Sequence, residues 1–105
     1  MPNARVIALI KPFRARAVLE ALARMEIQAA SIREVMGFGR QKGRLSRYLG
    51  SEYDAAFIPK IEISVVVPRE VLEDTIKAIV AAARTGRMGD GKILVLPCLD
   101  AELEW

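Results

Sequence analysis

An α+β fold of element order βαββαβ is predicted by three observations. Two apolar runs of strand length, Arg5 to Ile10 and Lys60 to Val67, are each closed by a proline that opens an amphipathic segment of helical period. A second strand candidate follows each helix. The 105 residues leave room for one domain spanning 1–105 and no second.

Taken in order, Arg5-Val6-Ile7-Ala8-Leu9-Ile10 is continuously apolar after its first residue, as expected of a strand covered on both faces. Pro12 ends it and suits the first turn of a helix. Ala17, Val18, Ala21, Leu22 and Met25 then recur at helical spacing, with Arg14, Arg16, Glu20 and Arg24 on the other side and Glu20–Arg24 as an i,i+4 pair. Ala30 to Met36 is a mixed strand candidate that stops at Gly37-Phe38-Gly39.

From Gly37 to Ile58 glycines and charges alternate without a period, and a loop of that length in a small domain is usually functional or mobile. Ile61, Ile63, Val65 and Val67 alternate with Lys60, Glu62, Ser64 and Val66, the pattern of a half-buried strand. After Pro68 the stripe Val71, Leu72, Thr75, Ile76, Ile79, Val80 and Ala83 predicts the second helix, with Glu70, Glu73 and Asp74 at its positive end. Gly86 is expected to stop it. Ile93 to Leu96 forms the last strand, halted by Pro97.

Two strand–helix–strand halves in tandem correspond to the ferredoxin-like arrangement, an antiparallel sheet with both helices on one face. Strands apolar on both sides predict that the bare face is buried against other copies of the chain. A hydrophobic fraction of 52% and a mean hydropathy of +0.21 point the same way.

Composition excludes several chemistries. Histidine is absent and Cys98 is alone, which removes an internal disulfide, multi-cysteine metal sites and histidine acid–base catalysis. No nucleophile–base pair is visible, so no enzyme is expected. Apolar runs are too short for a membrane span and the N-terminus lacks a leader pattern, which predicts a cytoplasmic protein. The whole net charge of +3 is carried between Gly37 and Lys60 by Arg40, Lys42, Arg44, Arg47 and Lys60 against Glu52 and Asp54. That excess belongs to one loop and is modest beside a nucleic-acid-binding face, so no nucleic acid is expected.

The chemically distinctive stretch is Thr85-Gly86-Arg87-Met88-Gly89-Asp90-Gly91-Lys92. Three glycines let a backbone approach an anion and turn several N–H groups toward it, and Lys92 adds a point charge. Residues 85–92 are thus a candidate phosphate-binding loop. Its pattern reaches G-x-x-x-x-G-K but continues with Ile93, so the hydroxyl of a P-loop is missing, and a strand follows where a helix is required.

Several motifs in order resemble the P-II nitrogen-regulatory signal transducers: Ile10-Lys11-Pro12-Phe13, Gly37 to Gly43, Tyr48-Leu49-Gly50-Ser51-Glu52-Tyr53, Phe57-Ile58-Pro59-Lys60 and Thr85 to Val95. The resemblance implies a homotrimer whose clefts between subunits take ATP or ADP, bind 2-oxoglutarate together with Mg²⁺-ATP, and control an ammonium-type membrane transporter or a metabolic enzyme through a T-loop, here residues 37–58. It further implies nucleotide contacts from Ser31, Gly37, Phe38, Gly39, Arg40, Val66, Arg87, Met88, Gly89, Asp90, Gly91 and Lys92. Gln41 matches the Mg²⁺ ligand and Lys60 the partner of a 2-oxoglutarate carboxylate. Tyr53 matches the tyrosine modified by a uridylyltransferase, and Ser51 the serine phosphorylated in some members.

The chain also departs from the family pattern. Where an Arg-x-Arg-Thr-Gly segment usually supplies arginines to the phosphates, Leu99 to Trp105 carries Asp100, Glu102 and Glu104, so a reduced or reversed preference for ATP over ADP is expected. Ser64 and Ala29 stand where a glutamate and a glycine are common near the nucleoside. The alternative reading is a diverged relative that senses another small anion or adenine nucleotide.

Overall fold

The computed structural model describes residues 2–25, 27, 29–37, 58–87 and 89–98. Four strands, β1 (Asn3–Ile10), β2 (Ala29–Gly37), β3 (Ile58–Pro68) and β4 (Gly91–Pro97), and two helices, α1 (Ala15–Leu22) and α2 (Leu72–Ala83), follow the predicted βαββαβ order. The sheet is antiparallel throughout, in the order β2-β3-β1-β4. This is the ferredoxin-like architecture.

Alternation along the strands builds the core. Val6, Ala8 and Ile10 of β1 and Ile63, Val65 and Val67 of β3 are buried together with Val18 and Leu22 of α1 and Ile79 and Ala83 of α2. Each is of a type that gains roughly 1.5–3 kcal/mol by full burial when the side chain is as large as valine or isoleucine. Thr75 lies in the same apolar stripe, fully buried, because its hydroxyl donates to the Val71 carbonyl at 2.7 Å and needs no water.

The other face of the sheet differs from expectation. It is mixed rather than apolar. Ile7, Leu9, Leu94 and Leu96 form an apolar strip on β1 and β4, but on β2 and β3 the same face carries the Arg33–Glu62 ion pair at 2.7 Å and Arg5 Nε donating to Ser64 Oγ at 2.8 Å. The reason is visible in β3, whose alternate residues Lys60, Glu62 and Ser64 are polar and become neighbours of β1 and β2 by register.

Element ends also shift. Helix α1 is preceded by a 3₁₀ turn at Pro12–Arg14 and stops at Leu22, so Met25 and Arg24 lie beyond it. The expected Glu20–Arg24 pair is consequently absent from the ion pairs among the described residues. Helix α2 is ended not by Gly86 but by Arg84, which turns extended (φ −66°, ψ 134°) while its N–H still bonds Val80 O. Gly86 (φ 85°) shapes the loop that follows. Gly91 and Lys92 open β4 rather than belonging to that loop, which therefore runs from Thr85 to Asp90.

Candidate functional site

The site forms where the C-terminal end of β1, the start of β3 and the start of β4 meet. Ile10 pairs with both Ile61 and Gly91, so the next residue of β1, Lys11, leaves the sheet beside Lys60 and beneath the glycine loop. Two residues of the loop, Gly86 (φ 85°) and Gly89 (φ 83°), occupy the left-handed region that glycine enters without strain. Gly91 is required for a different reason. A Cβ there would stand 2.7 Å from the Leu9 carbonyl oxygen, so only a residue without a side chain lets β4 close on β1.

Asp90 organises the loop internally. Its Oδ2 accepts the Thr85 N–H at 2.7 Å and the Gly86 N–H at 2.9 Å, and its Oδ1 accepts the Thr85 hydroxyl. Lys11 Nζ reaches the same Oδ1 at 3.0 Å and Thr85 Oγ1 at 3.4 Å. The Thr85 hydroxyl first, then the Thr85 amide, Lys11 and the Gly86 amide, hold the Asp90 carboxyl well below the usual carboxylate range despite its partial burial. Asp90 is thus a charged knot inside the loop.

Lys60 Nζ donates to the Gly89 carbonyl at 2.7 Å. Burial first and the neighbouring Lys11 charge second lower its pKa, with Asp90 opposing. Two lysines on adjacent strands therefore converge on one short loop, and Arg87 and Lys92 add exposed cations beside it. Such an arrangement suits a small, multiply charged anion.

The sequence-predicted residues separate into two groups. Lys60, Gly37 and Gly89 to Lys92 belong to the loop end of the sheet, with Gly37 paired to Ile58 and Val35 to Lys60. Ser31 and Val66 stand on the same face but toward the far end, where Ser31 pairs with Ser64 and Ala29 with Val66. Six residues of β3 separate Val66 from Lys60, roughly 20 Å at strand rise. Phe38, Gly39, Arg40, Gln41, Ser51, Tyr53 and Met88 lie outside the described residues.

Sequence reasoning placed Thr85 in the loop without its bond to Asp90 and missed Lys11 as a site residue. The available signal was position: a lysine that directly follows a strand buried on its helix side must project from the strand's end. Arg14 was also missed. Its guanidinium donates from Nε (2.9 Å) and Nη2 (2.5 Å) to the Ala82 carbonyl at the last turn of α2.

On the helix side of the same strand ends lies a cavity of about 340 Å³ lined by aliphatic side chains of β1, α2 and β4 and by Arg84, Asp90, Gly91 and Lys92. Its lining therefore combines aliphatic side chains with charged groups, Asp90 of the glycine loop among them.

The family model described as Nitrogen regulatory protein P-II matches residues 3–103. The chain belongs to the P-II nitrogen-regulatory family. Among its P-II relatives, the Nitrogen regulatory protein P-II of Rhodobacter capsulatus is 52% identical over 91 residues, covering 87% of this chain and 81% of that protein. The P-II 1 protein of Escherichia coli K12 is 45% identical with the same coverage. A crystal structure of Arabidopsis thaliana PII bound to citrate superposes with a TM-score of 0.71 at 33% identity, covering 92% of this chain and 78% of that one. The P-II assignment makes this chain a nitrogen-regulatory signal transducer by family, and its relatives are named as regulators rather than enzymes. No described helix is long and apolar enough to cross a membrane.

Proposed function

We propose that this P-II protein is a cytoplasmic, non-enzymatic sensor of ATP and ADP that controls a nitrogen-metabolism enzyme or an ammonium-type transporter through residues 37–58. The observation that carries the reading is the convergence of Lys11 and Lys60 on a loop with left-handed glycines at 86 and 89, in a chain of this family. Gly89, Gly91 and Lys92 receive the phosphates, with Arg87 and Arg40 adding charge. Asp90 takes part by holding the loop's shape.

The separation of Ser31 and Val66 from the loop within one chain favours clefts between copies, in which one subunit supplies the loop and another the nucleoside contacts. A homotrimer is the assembly proposed. Mg²⁺ accompanies ATP and is held by the phosphates and Gln41, the residue that matches the family's Mg²⁺ ligand. 2-Oxoglutarate enters with Mg²⁺-ATP and pairs one carboxylate with Lys60. The citrate named with the Arabidopsis relative, a polycarboxylate, supports an anion-accepting site in this fold.

A second reading rests on Ser64. Its hydroxyl accepts from Arg5 within the chain, at a position where a carboxylate is common near the nucleoside, and this favours an altered adenine edge and a diverged anion specificity. Calorimetric titration with ATP, ADP, AMP and 2-oxoglutarate, with and without Mg²⁺, decides between the two. Binding of ATP and ADP with Mg²⁺-ATP-dependent uptake of 2-oxoglutarate is expected; binding of none of these overturns the first reading.

A further inference from the structure

We propose that Lys11 is a positioning residue for the anion loop, acting through Asp90 rather than on the ligand. Lys11-Pro12-Phe13-Arg14 is the turn between β1 and α1, and two of its side chains hold the segment that leads into and through the loop. Arg14 takes the Ala82 carbonyl at the end of α2, and Lys11 takes Asp90 Oδ1 and Thr85 Oγ1. Between these anchors the backbone leaves the helix and makes the Gly86 and Gly89 turns.

Geometry explains why Lys11 is needed. Asp90 gathers the Thr85 amide, the Gly86 amide and the Thr85 hydroxyl around one carboxylate, which closes the loop into a ring joined to the sheet by the backbone at Gly91 but not by any bond of that ring's own. Lys11, rooted at the end of a strand buried on its helix side, supplies that attachment. Its Nζ meets Asp90 with both side chains about one-fifth exposed, at 23% and 22%, so the pair is shielded more than a surface ion pair. Lys60 makes a separate attachment further along, at the Gly89 carbonyl. With both in place, the loop is presented at a set height over the ends of β1 and β3, and the amide groups after Gly86 are aimed before any ligand arrives. Preorganisation of this kind raises affinity by lowering the ordering cost of binding.

The ligand arm of the test rests on the proposed nucleotide site, whereas the ligand-free arm does not. Amide hydrogen exchange at Thr85 and Gly86 and ADP affinity by calorimetry are measured for the wild type, Lys11→Met, Lys11→Arg, Asp90→Asn and the Lys11→Met/Asp90→Asn double variant. Circular dichroism verifies that each is folded. Lys11→Met is expected to speed exchange at both amides and to weaken ADP about ten-fold, the loss of one charge-assisted hydrogen bond. Lys11→Arg is expected to restore most of both. In the Asp90→Asn background the Lys11 change is expected to add little, because the two residues act as a unit.

Unchanged exchange in Lys11→Met overturns the proposal. Fully additive losses of ADP affinity overturn it as well, since they mean that Lys11 touches the ligand itself. Should the wild type bind no adenine nucleotide, the proposed function fails, and the exchange measurements alone judge the role of Lys11.

Discussion

Lys60 and Gly89 are joined by a 2.7 Å hydrogen bond from the ammonium to the loop carbonyl, which ties the start of β3 to the glycine loop. The ammonium has three donors, so it can hold the Gly89 carbonyl and still pair with a 2-oxoglutarate carboxylate, whereas methionine offers that carboxylate nothing. Lys60→Met is therefore expected to abolish 2-oxoglutarate binding in the presence of Mg²⁺-ATP while leaving ADP affinity within a few fold. Calorimetry on the two ligands checks this, and retained 2-oxoglutarate binding would show that Lys60 serves the loop alone.

Gly91→Ala is expected to destabilise the fold. The new Cβ would lie 2.7 Å from the Leu9 carbonyl oxygen, a rigid backbone atom next to the last pair of the β1–β4 ladder. Overpacking of this sort costs roughly 1–3 kcal/mol. Urea unfolding measures it, and a variant with the wild-type midpoint would mean that β4 retreats from β1 without loss.

Asp90 makes stability depend on acid pH. Its folded pKa is depressed by Thr85, Lys11 and Gly86, whereas the unfolded carboxyl titrates near about 3.9. Between the two values the unfolded chain holds more protons, so stability rises with pH there and is lost on acidification. The contribution is fully present above the unfolded pKa and is lost as pH drops through the folded one. Urea midpoints from neutral to strongly acid pH should differ between the wild type and Asp90→Asn by a constant gap at neutral pH that closes only below about pH 4. A gap that closes already near neutrality would contradict the assignment.

Assembly is testable through the mixed face of the sheet. Leu94 and Leu96 remain 45% and 43% exposed in the single chain, an apolar strip on the open face that another copy can cover. Light scattering is expected to give three copies per particle, and Leu94→Glu to reduce that number. A stable wild-type monomer at micromolar concentration would refute the trimer.

Much of the fold was written in local pattern. The runs Arg5–Ile10 and Lys60–Val67, the prolines at 12 and 68, and the stripe from Val71 to Ala83 set the order and type of every element, because side-chain period and proline geometry act over a few residues. The glycine stretch announced a tight loop in the same way, through backbone freedom. The motifs that identified the P-II family were likewise contiguous.

What only the tertiary structure decided depends on residues far apart in the chain. Lys11 meets Asp90 across 79 positions and Arg14 meets Ala82 across 68, and no local rule pairs them. The polar character of the open face arises because Arg5 is brought beside Ser64 and Arg33 beside Glu62 by strand register. Gly91 is a necessary residue only because the β4 backbone there crowds the Leu9 carbonyl. Sequence determined which groups were available; register and strand order, set by burial of the two helices on one face, determined which of them touch.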